Sequence, residues 1–196
     1  MQKEDIQKKF KHLFDTLSSN DFLRMEALGG EIPFFISAYN PEQQLEVDRA
    51  MEGLKRKLKN AGIEVLEINL YDLILNLLEE ELGEDMVFEL ERDMSKNDFL
   101  DALKSTLHID EVLMPAIARK IEESDAQLYF LTGIGLAYPI IRSHIILNNL
   151  QSVAVDAPTV TFYPGTYNGK YLELFGKLKN RNYYRAFKIE NYQQSI

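Results

Sequence analysis

The chain has 196 residues, a formal net charge of −9 and no cysteine. That length suits one ordinary domain, and the missing cysteines exclude disulfides, thiolate nucleophiles and cysteine-held zinc. The acidic balance sets the molecule against nucleic acid and anionic lipid unless one face departs from the mean. The apolar share of 45% is that of a globular protein. No apolar run reaches the roughly 18–20 residues of a membrane helix, so no membrane contact is expected. The charged start MQKEDIQKKFKHLF lacks the apolar centre of a secretory signal, and the expected location is the cytoplasm.

In chain order, Ile6, Phe10, Leu13, Phe14 and Leu17 recur at helical spacing and predict an amphipathic helix. The run Ser18, Ser19, Asn20, Asp21 ends it and offers a cap for a short helix through Phe22, Leu23 and Leu28. Residues 1–30 form an N-terminal helical segment expected to pack on an α/β domain spanning 31–196. After Gly29 and Gly30, EIPFFISAY (Glu31 to Tyr39) reads as a strand buried on both faces, as parallel sheets require. Asn40 suits an N-cap and Pro41 the first helical position. The helix they open runs to about Asn60, with Leu45, Met51, Leu54 and Leu58 on its inner side and Gly62 as its stop.

IEVLEINL (Ile63 to Leu70) is a second strand, and YDLILNLLEEEL a helix by spacing and propensity. Residues 83–96 are acidic and read as irregular. Ser95 precedes Asp98 by three and starts a helix near 97–107; a further helix spans Asp110 to Glu123. AQLYFLTG is the third strand. The segment TGIGLAYPIIRSHIILNNLQS (Thr132 to Ser152) reads as a loop over Gly133–Ala137 and a helix starting at Tyr138 or Pro139. APTVTFYPG is the fourth strand and TYNGK a turn. Leu172, Leu174 and Phe175 mark a short helix, and Tyr183 to Ile189 close the chain as a fifth strand. The alternation predicts a three-layer α/β domain, Rossmann-like or degraded P-loop-like: a mostly parallel sheet of about five strands with helices on both faces.

Ligands of such sheets sit outside the carboxyl ends of the strands. Distinctive turns fall at three of those ends: Tyr39-Asn40-Pro41, Thr132-Gly133-Ile134-Gly135 and Tyr163-Pro164-Gly165. Beyond the second, Arg142, His144, Asn148 and Asn149 interrupt an apolar helix in lines rather than at random. They either pair with loop carbonyls inside the fold or face a partner or an anion, the alternative function being a nucleotide- or phosphate-binding domain that uses the Gly133–Gly135 loop and Arg142. The loop is neither a dinucleotide fingerprint nor a Walker A string.

His12, His108 and His144 are too scattered for a metal site, and no metal or cofactor is expected. Ser143 beside His144 lacks a nucleophile elbow. Lys170, Lys177, Lys179, Arg181, Arg185 and Lys188, interleaved with Tyr183, Tyr184 and Phe187, form a basic stretch. It suits a charged strand face, nucleic acid, or docking onto a partner or another copy of the chain.

The strings LGGEIPFFISAYNP, GIEVLEINLYDLILNLLEE, FLTGIGLAYPIIRSHIILNNLQS, PTVTFYPGTYNG and FGKLKNRNYYRAFKI resemble, in order and spacing, the BrxB family of the bacteriophage-exclusion (BREX) defence systems. The resemblance covers about residues 22–190. It implies a role in phage resistance beside an ATPase, a DNA methyltransferase and a PglZ-type phosphatase-like protein. With no complete catalytic constellation in the α/β core, the leading expectation is a non-catalytic component that works through protein–protein contact, with the PglZ-type subunit as first partner. The resemblance assigns no catalytic residue. Arg142, His144, Asn148, Asn149, Gly165, Tyr167, Gly169, Tyr184 and Arg185 match family-like positions without roles.

Overall fold

A computed structural model describes residues 3–25, 33–179, 184 and 186–192. Asp5 caps helix α1 (Ile6–Leu17) by accepting from the Lys8 N–H, and Ser19 caps the short α2 (Asn20–Leu23). Ile6, Phe10, Leu13 and Leu17 are buried, each worth about 1.5–3 kcal/mol of apolar transfer before entropy is counted.

Strand β1 (Phe34–Tyr39) follows, and Asn40 Oδ1 accepts from Glu42 N–H at 3.1 Å to open a 3-10 turn (Pro41–Gln43) and helix α3 (Gln44–Asn60). One residue of the expected inner face is wrong. Leu45 is 73% exposed, and Val47 packs inward with Met51, Leu54 and Leu58. Leu45 lies inside the α-helix two residues before Val47, about 200° around it, and so on the opposite face from the Val47, Met51, Leu54, Leu58 stripe.

Strand β2 (Val65–Asn69) leads into α4 (Leu70–Leu82), capped by Asn69 Oδ1 on the Tyr71 and Asp72 N–H groups. The acidic stretch expected to be irregular is a helix, α5 (Glu84–Asp93), set off by Gly83 at φ +82°. Glu, Leu, Met and Arg are strong helix formers, and Val87 and Leu90 at i, i+3 turn partly inward. Ser95 then opens α6 (Lys96–Thr106) through a reciprocal contact with Asp98. A π-turn (Ile109–Leu113) precedes α7 (Met114–Glu122).

Strand β3 (Leu128–Thr132) runs into a four-residue helix α8 (Ile134–Ala137) where a loop was expected. After the cis Tyr138–Pro139 bond the chain turns, and Ile141 tucks into the core with its N–H on the Ala137 carbonyl. Helix α9 therefore begins at Ser143 and ends at Leu150, four or five residues later than its proline suggested. Strand β4 (Thr159–Tyr167) is followed by β5 (Leu172–Leu174) and β6 (Leu178–Lys179). The expected helix over 172–175 is thus an antiparallel hairpin: Leu172 and Leu174 point inward around Glu173, a period of two. Strand β7 (Phe187–Lys188) supplies the last parallel strand; Tyr183 and Arg185 lie outside the described residues.

The parallel sheet has the order β2-β3-β4-β1-β7. The crossover from β1 to β2 passes through α3 on one face, and those from β2 to β3 and β3 to β4 return over the other. Reversing direction and face together keeps a single hand of crossover. Phe35, Phe130 and Phe162 pack beneath α1 and α3, while Phe34, Ile36, Leu131 and Tyr163 pack beneath α4, α7 and α9. Two cores separated by one sheet give the three layers the sequence predicts.

Candidate functional site

Parallel strands bring their carboxyl ends to one rim. Tyr39 in β1 is level with Pro164 in β4, and Asn69 in β2 is level with Thr132 in β3. Between this rim and α3 lies a cleft of about 540 Å³. Val47, Met51 and Phe162 are its buried apolar lining, and Leu136 (66% exposed) and Phe175 form an apolar lip. Asp48, Arg49, Glu52 and Glu67 supply the charge.

Most of the polar groups of the cleft are tied to a neighbour. Thr132 Oγ1 donates to Glu67 Oε1 at 2.8 Å, and Lys55 Nζ reaches Glu67 at 2.5 Å and Glu52 at 2.6 Å. Burial works against the charge on Lys55, but the Glu52 and Glu67 carboxylates outweigh it and raise the ammonium pKa. Tyr39 donates to Gln44 Oε1 at 2.6 Å. Burial pushes this phenol above its ordinary range, the Gln44 bond tempers the shift, and Asp48 adds to it.

The glycines of the second turn are packing residues. Gly133 sits at φ +73°, and a Cβ there would lie 2.1 Å from Asn69 Oδ1 and 2.9 Å from the Tyr71 nitrogen. The start of α4 is therefore closed off by the Asn69 cap and by Gly133, with Asp72 beside them. An anion entering here meets carboxylates and N–H groups already in use. A Cβ on Gly135 would press on Pro164 at 2.8 Å and Phe175 at 3.1 Å, and one on Gly165 would fall 2.1 Å from the Glu173 carbonyl. Asn40 is buried as a cap.

The α9 group lies apart from the cleft lining. Arg142 is exposed at the N-cap position, where no side chain caps the helix. His144 is half-buried, and burial, then the neighbouring Arg142 charge, lowers its pKa. Asn148 is exposed, and Asn149 donates to the Ile145 carbonyl at 2.9 Å within its own helix. Ser143 neighbours Tyr163, whose hydroxyl is buried without a well-formed hydrogen bond and is pushed up to about 12, chiefly by burial.

Tyr167 and Tyr184 are buried; the Tyr167 hydroxyl donates to the Ala186 carbonyl at 2.7 Å and lies 3.2 Å from that of Tyr184. These contacts clamp the returning chain. Lys170, Lys177 and Lys179 are exposed around the hairpin; Arg181 and Arg185 lie outside the described residues.

Sequence reasoning placed Tyr39, Gly133 and Gly135 at the rim and missed the Glu52–Lys55–Glu67–Thr132 network and the Leu136–Phe175 lip. The one signal was Glu67, a carboxylate in the middle of an apolar strand. Among the described residues no three histidines or carboxylates gather as a metal site, and no helix is long and apolar enough to cross a membrane.

The family described as BREX protein BrxB matches residues 66–189. A protein of that description from Bacillus cereus (strain H3081.97) is 33% identical over 188 residues, covering 94% of this chain and 97% of that protein. The chain belongs to the BrxB family. A second BrxB protein, from Escherichia coli O9:H4 (strain HS), is 27% identical over 184 residues, covering 94% of this chain and 91% of its own. No solved structure matches at a significant level.

Proposed function

We propose that the chain is a non-catalytic subunit of a BREX anti-phage assembly that acts by contacting another subunit, the PglZ-type protein first. The observation that carries this reading is the rim. Glu52, Lys55, Glu67 and Thr132 bond to each other, and Tyr39 and Asp48 bond to Gln44, rather than standing ready for a substrate, while Leu136 and Phe175 at its lip, and Leu45 one turn before Arg49, stay exposed. Interfaces concentrate such apolar contacts inside a polar border. Membership of the BREX systems supplies the anti-phage role.

Size exclusion and pull-down against each neighbouring BREX subunit test the reading. Stable capture of one subunit, weakened tenfold or more by Leu45→Asp with Leu136→Asp, is expected. A chain that stays alone with all of them sinks it.

A second, narrower reading places an anion at the uncapped start of α9 beside Arg142 and His144. Calorimetry with phosphate and ATP tests it, and binding that ignores Arg142→Ala removes it.

A further inference from the structure

Residues 79–93 hold eight carboxylates against the single Arg92, and so carry seven of the chain's nine net negative charges. The charge is concentrated on the last turn of α4 and on α5, where Glu79, Glu80, Glu81, Asp85, Glu89 and Glu91 are exposed. Arg92 is bound to Asp93 at 3.1 Å. A helix needed only for solubility would be polar on its outer side. Instead α5 turns Val87 and Leu90 partly inward toward its packing partners α4 and α6, and leaves Phe88 60% and Met86 45% exposed. Met94, at its C-cap, is 40% exposed.

Exposed aromatic and methionine side chains are the residue types enriched at protein interfaces. The surrounding charge specifies the opposite surface. Phosphate backbones and anionic lipid are repelled. A second copy of the chain offers the exposed Lys170, Lys177 and Lys179 around its hairpin, but its net charge of −9 still opposes its approach. A basic protein surface gains both steering and register from these carboxylates.

We propose that α5 is a docking helix for a basic protein partner, with Phe88, flanked one turn away on either side by Asp85 and Glu91, seated in an apolar pocket ringed by lysine or arginine. The inference rests on the reading of the chain as an assembly subunit and adds a surface that shares no residue with the strand-end cleft.

The test uses the full chain and each neighbouring BREX subunit, purified, in a surface-binding assay between 50 mM and 500 mM NaCl. Three forms are compared: wild type, Met86→Ala with Phe88→Ala, and Glu89→Lys with Glu91→Lys. All four positions are exposed, and circular dichroism checks that each variant is folded. The expected result is one subunit whose affinity falls steeply with salt. The alanine pair weakens it at least tenfold, and the lysine pair weakens it further while flattening the salt dependence. A subunit that binds wild type and both variants alike overturns the α5 proposal and leaves the assembly reading standing. Wild-type chain that binds no subunit overturns both. Sedimentation showing that the chain alone forms dimers lost on Phe88→Ala overturns the choice of occupant.

Discussion

Replacing Gly133 with alanine separates a turn built for packing from one built for a ligand. Holding alanine at φ +73° costs about 1 kcal/mol. The new methyl carbon would lie 2.1 Å from Asn69 Oδ1, so the Asn69 side chain must leave. Its bonds to the Tyr71 and Asp72 N–H groups go with it, a further ~1 kcal/mol as helix caps run. The Tyr71 nitrogen at 2.9 Å adds a backbone shift, bringing the expected loss to roughly 2–3 kcal/mol. In a chain of this size that is a fall in Tm of roughly 4–12 °C. Urea unfolding followed by circular dichroism measures it, and Asn69→Ala provides the control. In that background the same Gly133→Ala change should cost the left-handed conformation and the shift at the Tyr71 nitrogen but not the cap, about 1 kcal/mol less than in the wild type. Equal penalties with and without Asn69, or a single-variant loss below about 0.5 kcal/mol, the limit of additivity, would refute the packing role.

Tyr167→Phe removes the hydroxyl that reaches the Ala186 and Tyr184 carbonyls and should cost about 1–2 kcal/mol in the same unfolding assay; no change means that the clamp contributes nothing. For His144 the folded pKa lies below 6.5, so the fold favours neutral imidazole. Its contribution to stability is complete above the unfolded value and is lost as pH falls through the folded midpoint. Arg142→Ala leaves burial in place and should move the NMR titration midpoint of His144 part of the way back up; an unmoved midpoint rules out the Arg142 contribution.

The parts of the fold legible in the sequence are those with a local cause. Four consecutive buried positions opening β1, the Asn40 and Ser95 caps and the Gly62 stop each carry their signal within a few residues. What failed has a distant cause. Leu172 and Leu174 become a strand because β4 extends past Pro164 and offers Gly165 to Tyr167 as a pairing edge. Helix α9 starts late because Ile141 is pulled into a core that other elements build. Leu45 is the exception, a local miss: it stands about 200° around the helix from Val47, off the stripe that Met51, Leu54 and Leu58 continue. In the site, Gly133 was legible as a turn glycine, yet its reason is Asn69, 64 positions earlier in the chain. Alternation around Glu173 and the i, i+3 pair in α5 were available signals, too short to outweigh composition.

Strand β4 does two jobs in one unbroken run. Thr159 to Pro164 lie in the middle of the parallel sheet, and Gly165 to Tyr167 carry the hairpin. The hairpin is thus continuous with the centre of the molecule, and the Tyr167 hydroxyl ties it to the tail. Phe175, whose N–H bonds the Pro164 carbonyl at 2.8 Å, therefore sits one hydrogen bond from the central strand, and a contact made at the lip bears on the middle of the sheet.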